Sequence, residues 1–387
     1  MGSYTRRSVL IALAATVAGC SNQSTGDLAD TTDPGQSPTK APSTDSPTTA
    51  EEEPPTEAPT STDTDDPVAV RDWPEEFYQG PLVSAHEHMH SRNLFSIVRD
   101  KPETLVEAMD RNKSAQMMAI SSDRYMDQVA EYDHRLVPFA FGWQEERNLE
   151  EAAESFADRL DRYPAYDGLG EIGLKAHTTP EGEPPIQADH PEMMDVYELA
   201  AERDVPVMIH TEAPWRYPSD MQDNWAEPSE FPGFAALDNA MADNRETDFL
   251  IHASYRWNGI PDGQIIAQKL QQHPNLWYDI SPTGPKLMYG QGAFTKAEFE
   301  AAMGENGVEK EIERLYDQYA LILEDYSERV LWGLDAAAEW HFEDWAFDTF
   351  IDIGRGILGR LSDANARNVA YRTAENLFDI EVAADWE

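Results

Sequence analysis

The sequence has 387 residues, 41% of them hydrophobic, which is enough to bury the core of one large or two ordinary domains. Its 73 acidic and 29 basic residues give a formal net charge of −44. This excess argues against partners held by their own negative charge, such as nucleic acids or anionic membrane surfaces. Only about eight of the basic residues are lysine, and the many acidic residues repel one another unless salt screens their charges. The composition therefore favours a halophilic protein. The alternative is an acidic mesophilic protein.

Residues 1–20 are typical of a targeting segment. The sequence TRRSVL at 5–10 resembles a twin-arginine export signal, and the apolar stretch 9–18 is shorter than the roughly 20 residues of a membrane-spanning helix. The sequence VAGC at 17–20 resembles a lipobox, and Cys20 is the only cysteine, so no internal disulfide forms. We expect a signal peptide, lipidation of Cys20 and a protein anchored at the extracellular face of the cell membrane. A plain signal peptide with a coincidental cysteine is the alternative.

Residues 21–67 consist mainly of Ser, Thr, Pro, Asp and Glu, with almost no aliphatic side chain to bury. Such a composition cannot offset the entropy of ordering the chain, so we expect a disordered, solvated linker. The sequence does not decide whether its hydroxyl groups are glycosylated. The folded domain is expected over residues 68–387.

Within 68–387, short apolar runs alternate with segments of helical periodicity. This pattern favours a (β/α)8 TIM barrel over an open doubly wound sheet, and no glycine-rich phosphate loop follows the first strand. A long helical region is predicted over 296–324. The eight predicted strands cover residues 82–88, 115–121, 136–141, 168–175, 205–210, 249–253, 276–280 and 330–333.

Polar side chains stand at the carboxyl ends of five of these strands, which is where a barrel places its chemistry. In the first strand, residues two apart point to the same face, so a His-x-His pair would project together as a metal clamp. In the fourth strand, Glu171 and Lys175 share one face. A single histidine after an apolar run is usually a polar group whose hydrogen bonds are satisfied at the end of a strand. Histidines and carboxylates after five such runs are much harder to explain by chance. Its members are His86, His88, Glu171, His210, His252 and Asp335.

The chain from about residue 82 to 380 resembles the amidohydrolase superfamily, and most of all its amidohydrolase-related (amidohydrolase 2) branch. The resemblance is specific for the superfamily and says little about the substrate. The segments that carry it are VSAHEH (83–88), VPVMIHT (205–211), LIHA (250–253), HPNLWYDIS (273–281), RVLWGLD (329–335) and AENLF (374–378).

This resemblance implies roles for individual residues. His86, His88, His210 and Asp335 match metal-binding positions, and Asp335 also matches the residue that takes a proton from metal-bound water. His252 matches a position that is a second-metal ligand in two-metal members and a proton donor or oxyanion stabiliser in one-metal members.

The fourth strand departs from any single branch. GEIGL at 170–174 resembles the metal-dependent deoxyribonucleases, in which the glutamate bridges two metals, whereas Lys175 could correspond to the lysine that other branches carbamylate. We favour Glu171 as the ligand, and the number of metal ions, one or two, stays open.

The expected ligand set suits Zn²⁺ and also Mn²⁺, Fe²⁺ or Ni²⁺. A bound divalent ion lowers the pKa of its water to about 7. Asp335 would then deprotonate that water, and His252 would stabilise the developing negative oxygen or protonate the leaving group. Aromatic and basic residues after the fifth, sixth and eighth strands would suit an organic acid or an aromatic ring, or would simply cap the rim. The expected substrate-binding residues are Arg216, Arg256 and Trp257, with Trp340 and His341 after the eighth strand.

The sequence therefore predicts an exported, metal-dependent hydrolase that cleaves a C–N or C–O bond of a small molecule. A metal-dependent decarboxylase of the same branch is the first alternative. A deoxyribonuclease-like phosphodiesterase is favoured by Glu171 but opposed by the net charge. A solute-binding lipoprotein is the non-enzymatic alternative, and the retained ligand set argues against it. The sequence does not predict the oligomeric state.

Overall fold

The computed structural model describes residues 69–88, 102–121, 123–141, 151–174, 186–211, 232–252, 262–281, 296–304, 306–336, 339–383 and 386. These residues include eight strands, and each strand pairs in parallel with the next one in the chain, in the order β1 to β8. The strands are β1 Leu82–Glu87, β2 Ser114–Ser121, β3 Leu136–Ala140, β4 Gly168–Leu174, β5 Val207–Thr211, β6 Phe249–His252, β7 Leu276–Ile280 and β8 Val330–Trp332.

The sheet curls round so that its first and last strands meet. The N–H of Asp335 donates to the carbonyl of His86 at 2.8 Å, the N–H of His88 donates to the carbonyl of Ala336 at 3.1 Å, and Glu87 and Ala336 form a parallel bridge. The predicted (β/α)8 barrel is thereby confirmed, since a doubly wound sheet would not have consecutive strand order.

Helices follow the strands, as the alternating pattern predicts. They are α1 Pro102–Arg111, α2 Met126–Ala130, α3 Ala152–Arg162, α4 Pro191–Arg203, α5 Pro232–Asp243, α6 Asp262–Gln272, α7 Lys296–Ala302, α8 Gly307–Asp325, α9 Asp344–Leu358, α10 Asp363–Arg367 and α11 Thr373–Phe378. Short 3-10 turns at Asp123–Tyr125, Ser327–Arg329 and Glu339–Phe342 and one π turn at Asn368–Arg372 complete the described helical segments.

The predicted helical region over 296–324 is confirmed, with an interruption between two helices. The region is two helices, because Asn306 takes a left-handed backbone (φ 65°) that ends regular helical progression before α8 begins. At Gly307 a Cβ atom would lie 2.3 Å from the carbonyl oxygen of Ala302, so the turn needs a residue without a side chain there.

The strands supply most of the core. Every residue of β1, β2, β3, β4, β6 and β8 is buried, and the helices cover the outside of the barrel with one apolar face each. In α3, for example, Phe156 and Leu160 are buried. Each such side chain contributes roughly 1.5–3 kcal/mol by leaving water.

At the amino ends of the strands, a buried arginine of α9 holds the segment that leads into β1. The guanidinium of Arg355 donates to the carbonyls of Tyr78 (2.7 Å), Gly80 (2.8 Å) and Asn112 (2.6 Å), and it lies over the ring of Trp73. This clamp lies at the opposite end of the barrel from the polar strand ends.

The predicted signal peptide (1–20) and linker (21–67) lie outside the described residues, as does the lipidation site Cys20. Among the helices that the structure describes, none combines the length and the apolar character of a membrane span.

Candidate metal centre

The two histidines of β1 point to the same side of the strand, as the alternation of side chains predicts. His86 is fully buried, the His88 side chain is 13% exposed, and their Nε2 atoms lie 3.1 Å apart. Two imidazole nitrogens that face each other at this distance form one half of a potential metal clamp.

Asp335 brings the end of β8 to this pair. Its Oδ1 lies 2.9 Å from Nε2 of His88 and 3.6 Å from Nε2 of His86. Its Oδ2 lies 3.4 Å from Nε2 of His252, which ends β6. The single carboxylate therefore faces all three imidazole rings.

Glu171 of β4 and His210 of β5 complete the cluster on its other side. The Glu171 carboxylate contacts Nδ1 of His210 through Oε1, and its Oε2 lies 3.7 Å from Nε2 of His88. The rings of His210 and His252 have centroids 5.0 Å apart. The structure thus brings all six predicted metal-site residues together from five strands.

These donors fit a divalent cation by type and by spacing. Two sets have all their ligand atoms within 4.8 Å of one another: His86, His88 and Glu171 in one, and His86, His252 and Asp335 in the other. Imidazole nitrogen and carboxylate oxygen are the ligands that Zn²⁺ and related ions take in proteins. The residues could therefore hold a metal ion. The competing ligand Lys175 lies outside the described residues.

Charges within the cluster outweigh the effect of burial on the pKa values of Asp335 and His252, whereas burial dominates at His86. Burial opposes ionisation of Asp335, but His86 and His252 hold the pKa of its carboxyl well below the usual range. Burial would lower the pKa of His252, but Asp335 and Asp279 raise it to about 10. The pKa of His86 is lowered, chiefly by burial and then by its neighbour His252. In the metal-free protein the cluster therefore favours an ionised Asp335 beside a protonated His252.

Asp279 of β7 is a functional candidate that the sequence analysis did not single out. Its buried Oδ2 accepts hydrogen bonds from Nδ1 of His86 at 2.9 Å and from Nδ1 of His252 at 3.0 Å. Burial would raise its pKa, but these two hydrogen bonds bring the pKa below its usual value. The available signal was a carboxylate inside the otherwise apolar run LWYDI, within a segment that carries the family resemblance.

Ser84 and Glu87, also of β1, were likewise not predicted. The hydroxyl of Ser84 donates to Oε1 of Glu87 at 2.6 Å and accepts from the N–H of Leu334 at 3.0 Å, while Oε2 of Glu87 accepts from the N–H of Ala336 at 3.2 Å. Burial raises the pKa of Glu87 well above its usual value. This pair therefore supports the backbone on both sides of Asp335.

The structure describes only some of the residues that were expected to bind substrate. Arg216, Arg256 and Trp257 lie outside the described residues. Trp340 stacks on Trp345 at 6.0 Å and meets the buried His341 edge to face at 4.1 Å. The two described residues thus belong to an aromatic cluster next to the end of β8.

Comparison with known proteins places this geometry in context. A family model described as amidohydrolase matches residues 67–380. No curated protein matches the chain.

Several solved structures resemble the chain at low sequence identity. A probable 2-pyrone-4,6-dicarboxylic acid hydrolase from Acinetobacter baumannii is 15% identical over 77% of this chain and 99% of its own, with a TM-score of 0.47. A TatD homologue from Escherichia coli is 12% identical over 78% and 98%, with a TM-score of 0.45. The 5-carboxyvanillate decarboxylase from Sphingomonas paucimobilis is 11% identical over 78% and 99%, with a TM-score of 0.43.

Proposed function

The chain belongs to the amidohydrolase family, and from this premise we propose that it is a metal-dependent hydrolase that cleaves an amide, ester or lactone bond of a small molecule. The observation that carries the proposal is the convergence of His86, His88, His252 and Asp335 at the carboxyl ends of β1, β6 and β8. In a barrel enzyme this end is where catalytic residues lie.

We propose Zn²⁺ as the ion, held by His86, His88 and Asp335, with Glu171 and His210 beside them. Such an ion supplies Lewis acidity, which polarises a carbonyl group and favours deprotonation of water. Glu171 lies between His88 and His210, and this position supports it as the ligand from β4.

Asp335 and His252 are proposed as the acid–base pair. The Asp335 carboxylate faces the cluster with both oxygens and would orient the attacking water and accept its proton. The Nε2 atom of His252, 3.4 Å from Oδ2 of Asp335, is placed to donate a hydrogen bond to the negative oxygen that develops, or to protonate the leaving group. The aromatic cluster around Trp340 would form one wall of a small-molecule pocket.

The first test removes a central ligand. We expect His86→Ala to lose bound metal, measured by elemental analysis, together with activity on a panel of esters, lactones and amides, while its circular dichroism stays that of the wild type. His134→Ala is the matched control, because the side chain of His134 is 70% exposed and lies away from the cluster.

The outcome of the panel separates the candidate functions. Turnover only with carboxylic acids, with release of CO₂, would replace hydrolysis by decarboxylation, and turnover of a phosphodiester would favour the nuclease. Bound metal without any turnover would favour a solute-binding protein. Full activity of His86→Ala would contradict the proposed site.

We also propose that the protein is exported in folded form and anchored to the membrane through a lipid on Cys20. The twin-arginine and lipobox motifs support this. Cys20→Ser is expected to move the protein from the membrane fraction to the soluble fraction after export. Unchanged membrane association of this variant would contradict lipid anchoring.

A further inference from the structure

Asp279 lies at the next-to-last position of β7, and its side chain is wholly buried. A single oxygen, Oδ2, contacts Nδ1 of His86 at 2.9 Å and Nδ1 of His252 at 3.0 Å. An ionised carboxylate has no hydrogen to donate, so each of these Nδ1 atoms must be the donor. One carboxylate therefore restrains two imidazole rings that come from different strands.

The restraint decides where the other nitrogen of each ring points. The Nε2 atom of His86 lies 3.6 Å from Oδ1 of Asp335, and Nε2 of His252 lies 3.4 Å from Oδ2 of the same carboxylate. The two rings meet edge to face with centroids 4.3 Å apart. In a neutral ring that donates from Nδ1, the lone pair is on Nε2, which is the form that binds a metal ion.

We infer that Asp279 is a positioning residue that fixes the orientation of both His86 and His252, so that Nε2 of His86 faces the metal ion as a ligand and Nε2 of His252 faces Asp335 as a hydrogen-bond donor. The inference rests on the proposed metal-dependent function. It extends that function by placing both rings under the control of one carboxylate that is not itself a ligand.

The space around the carboxylate supports this role. A Cβ atom at Gly333 of the β8 end would lie 2.5 Å from Oδ1 of Asp279 and 3.0 Å from Cβ of His86, so only glycine leaves the carboxylate its place. Among the described residues, Oδ1 has no hydrogen-bond partner. A buried carboxylate with one unsatisfied oxygen costs stability, so folding alone does not explain an aspartate here.

The experiment measures metal affinity and histidine tautomers in the purified full-length protein. In Asp279→Asn, the amide keeps the shape of the side chain but loses the negative charge, so the hydrogen bonds that its one oxygen can accept from the two Nδ1 atoms are weaker than those to the carboxylate. We expect its affinity for Zn²⁺, determined by competition with a chromophoric chelator, to be about 10- to 100-fold weaker. Tyr278→Phe is the matched control, because the neighbouring Tyr278 packs towards Tyr319 of α8, and we expect its affinity to be unchanged.

The tautomers are read by nitrogen-15 NMR of the histidine side chains in the metal-free protein, which has 10 histidines. Signals assigned with His86→Asn and His252→Asn should show a hydrogen on Nδ1 of both rings in the wild type. In Asp279→Asn, at least one ring should change its hydrogen distribution. This readout needs neither metal nor activity, and a residue that merely fills the barrel would not alter it.

The outcomes separate the inference from the function on which it rests. Wild-type protein that binds no Zn²⁺ would overturn both. Wild-type Zn²⁺ affinity in Asp279→Asn, or wild-type rings without hydrogen on Nδ1, would overturn the positioning role and leave the metal site standing. If Asp279→Asn does not fold, the wild-type NMR spectrum decides: hydrogen on Nδ1 of both rings supports the positioning role, and its absence from either ring overturns it.

Discussion

Asp335 adopts a left-handed backbone (φ 53°), which costs a residue other than glycine about 1–3 kcal/mol and persists where its surroundings enforce it. Here the Ser84 hydroxyl accepts from the N–H of Leu334, next to Asp335, and donates to the buried Glu87. The conformation turns the Asp335 side chain towards the histidines. The small hydroxyl of Ser84 therefore helps to place the Asp335 carboxylate, which it does not touch.

Replacing this hydroxyl should affect both stability and catalysis. We expect Ser84→Ala to lower the free energy of unfolding by roughly 1–3 kcal/mol, because Leu334 N–H and Glu87 lose a buried partner, and to lower kcat more than it changes KM. Urea unfolding and steady-state kinetics measure the two effects. Ser114→Ala is the matched control, since the Ser114 hydroxyl is equally buried and has no hydrogen-bond partner among the described residues. Equal effects of the two substitutions would contradict a special role for Ser84.

The residues that the structure brings together in the cluster could be predicted from the sequence, and those that support them could not. A histidine or aspartate directly after an apolar run stands out, because the end of a strand is where a barrel exposes polar groups. Asp279 and Glu87 instead lie within buried strands, and the sequence does not show which side chains they meet. That depends on the register between strands distant in sequence, which only the closed sheet defines.

At the scale of elements, helices α5 and α6 are joined by a partly buried ionic cluster away from the metal centre. Oδ1 of Asp238 lies 2.7 Å from Nζ of Lys269 and 3.1 Å from Nε2 of His273. Burial alone would raise the pKa of Asp238, but the hydrogen bond from His273 and the charge of Lys269 outweigh it, so the pKa is lowered. The folded protein therefore favours the ionised carboxylate more than the unfolded chain does.

The sign of the resulting pH dependence follows from linkage. Because the folded pKa lies below the unfolded value of about 3.9, the contribution of Asp238 is complete above that value and is lost as the pH falls through the folded pKa. We expect Asp238→Asn to be less stable than the wild type near neutral pH, and the gap to narrow below about pH 4. Urea unfolding from pH 3 to 7 measures this. Asp161→Asn, which breaks the exposed pair with Arg203, should give a curve parallel to that of the wild type. A constant gap for Asp238→Asn at all pH values would refute the linkage.

The apolar periodicity of the sequence located helices and strands correctly wherever the packing of the folded chain agreed with that periodicity. The predicted strand at 276–280 coincides with β7. The interruption between α7 and α8 was missed because the apolar spacing continues across it, while Gly304, Asn306 and Gly307 permit the turn. A glycine or an asparagine permits a left-handed residue without requiring one, so the sequence alone did not reveal the break.

For the molecule as a whole, the excess of acidic residues is visible along single helices. On α8, Glu309, Glu313 and Asp317 are exposed and follow one another at intervals of four residues, so like charges are neighbours on the solvent side. Pairs of like charge at this spacing destabilise a helix by a few tenths of a kcal/mol each. Summed over a chain of net charge −44, such repulsion favours a protein adapted to high salt.

Stability should therefore rise with salt, because the screening length falls from about 10 Å at 0.1 M to about 3 Å at 1 M. We expect Tm, followed by circular dichroism, to increase by roughly 5 °C or more between 0.1 and 2 M KCl, whereas sucrose at equal osmolality should raise it less. Glu313→Lys, which inserts a positive charge between two acidic neighbours, should be more stable than the wild type at 0.1 M KCl by about 0.5 kcal/mol and indistinguishable from it at 2 M. A Tm independent of KCl, or an advantage of Glu313→Lys that persists at 2 M, would show that charge repulsion does not limit the stability of this fold.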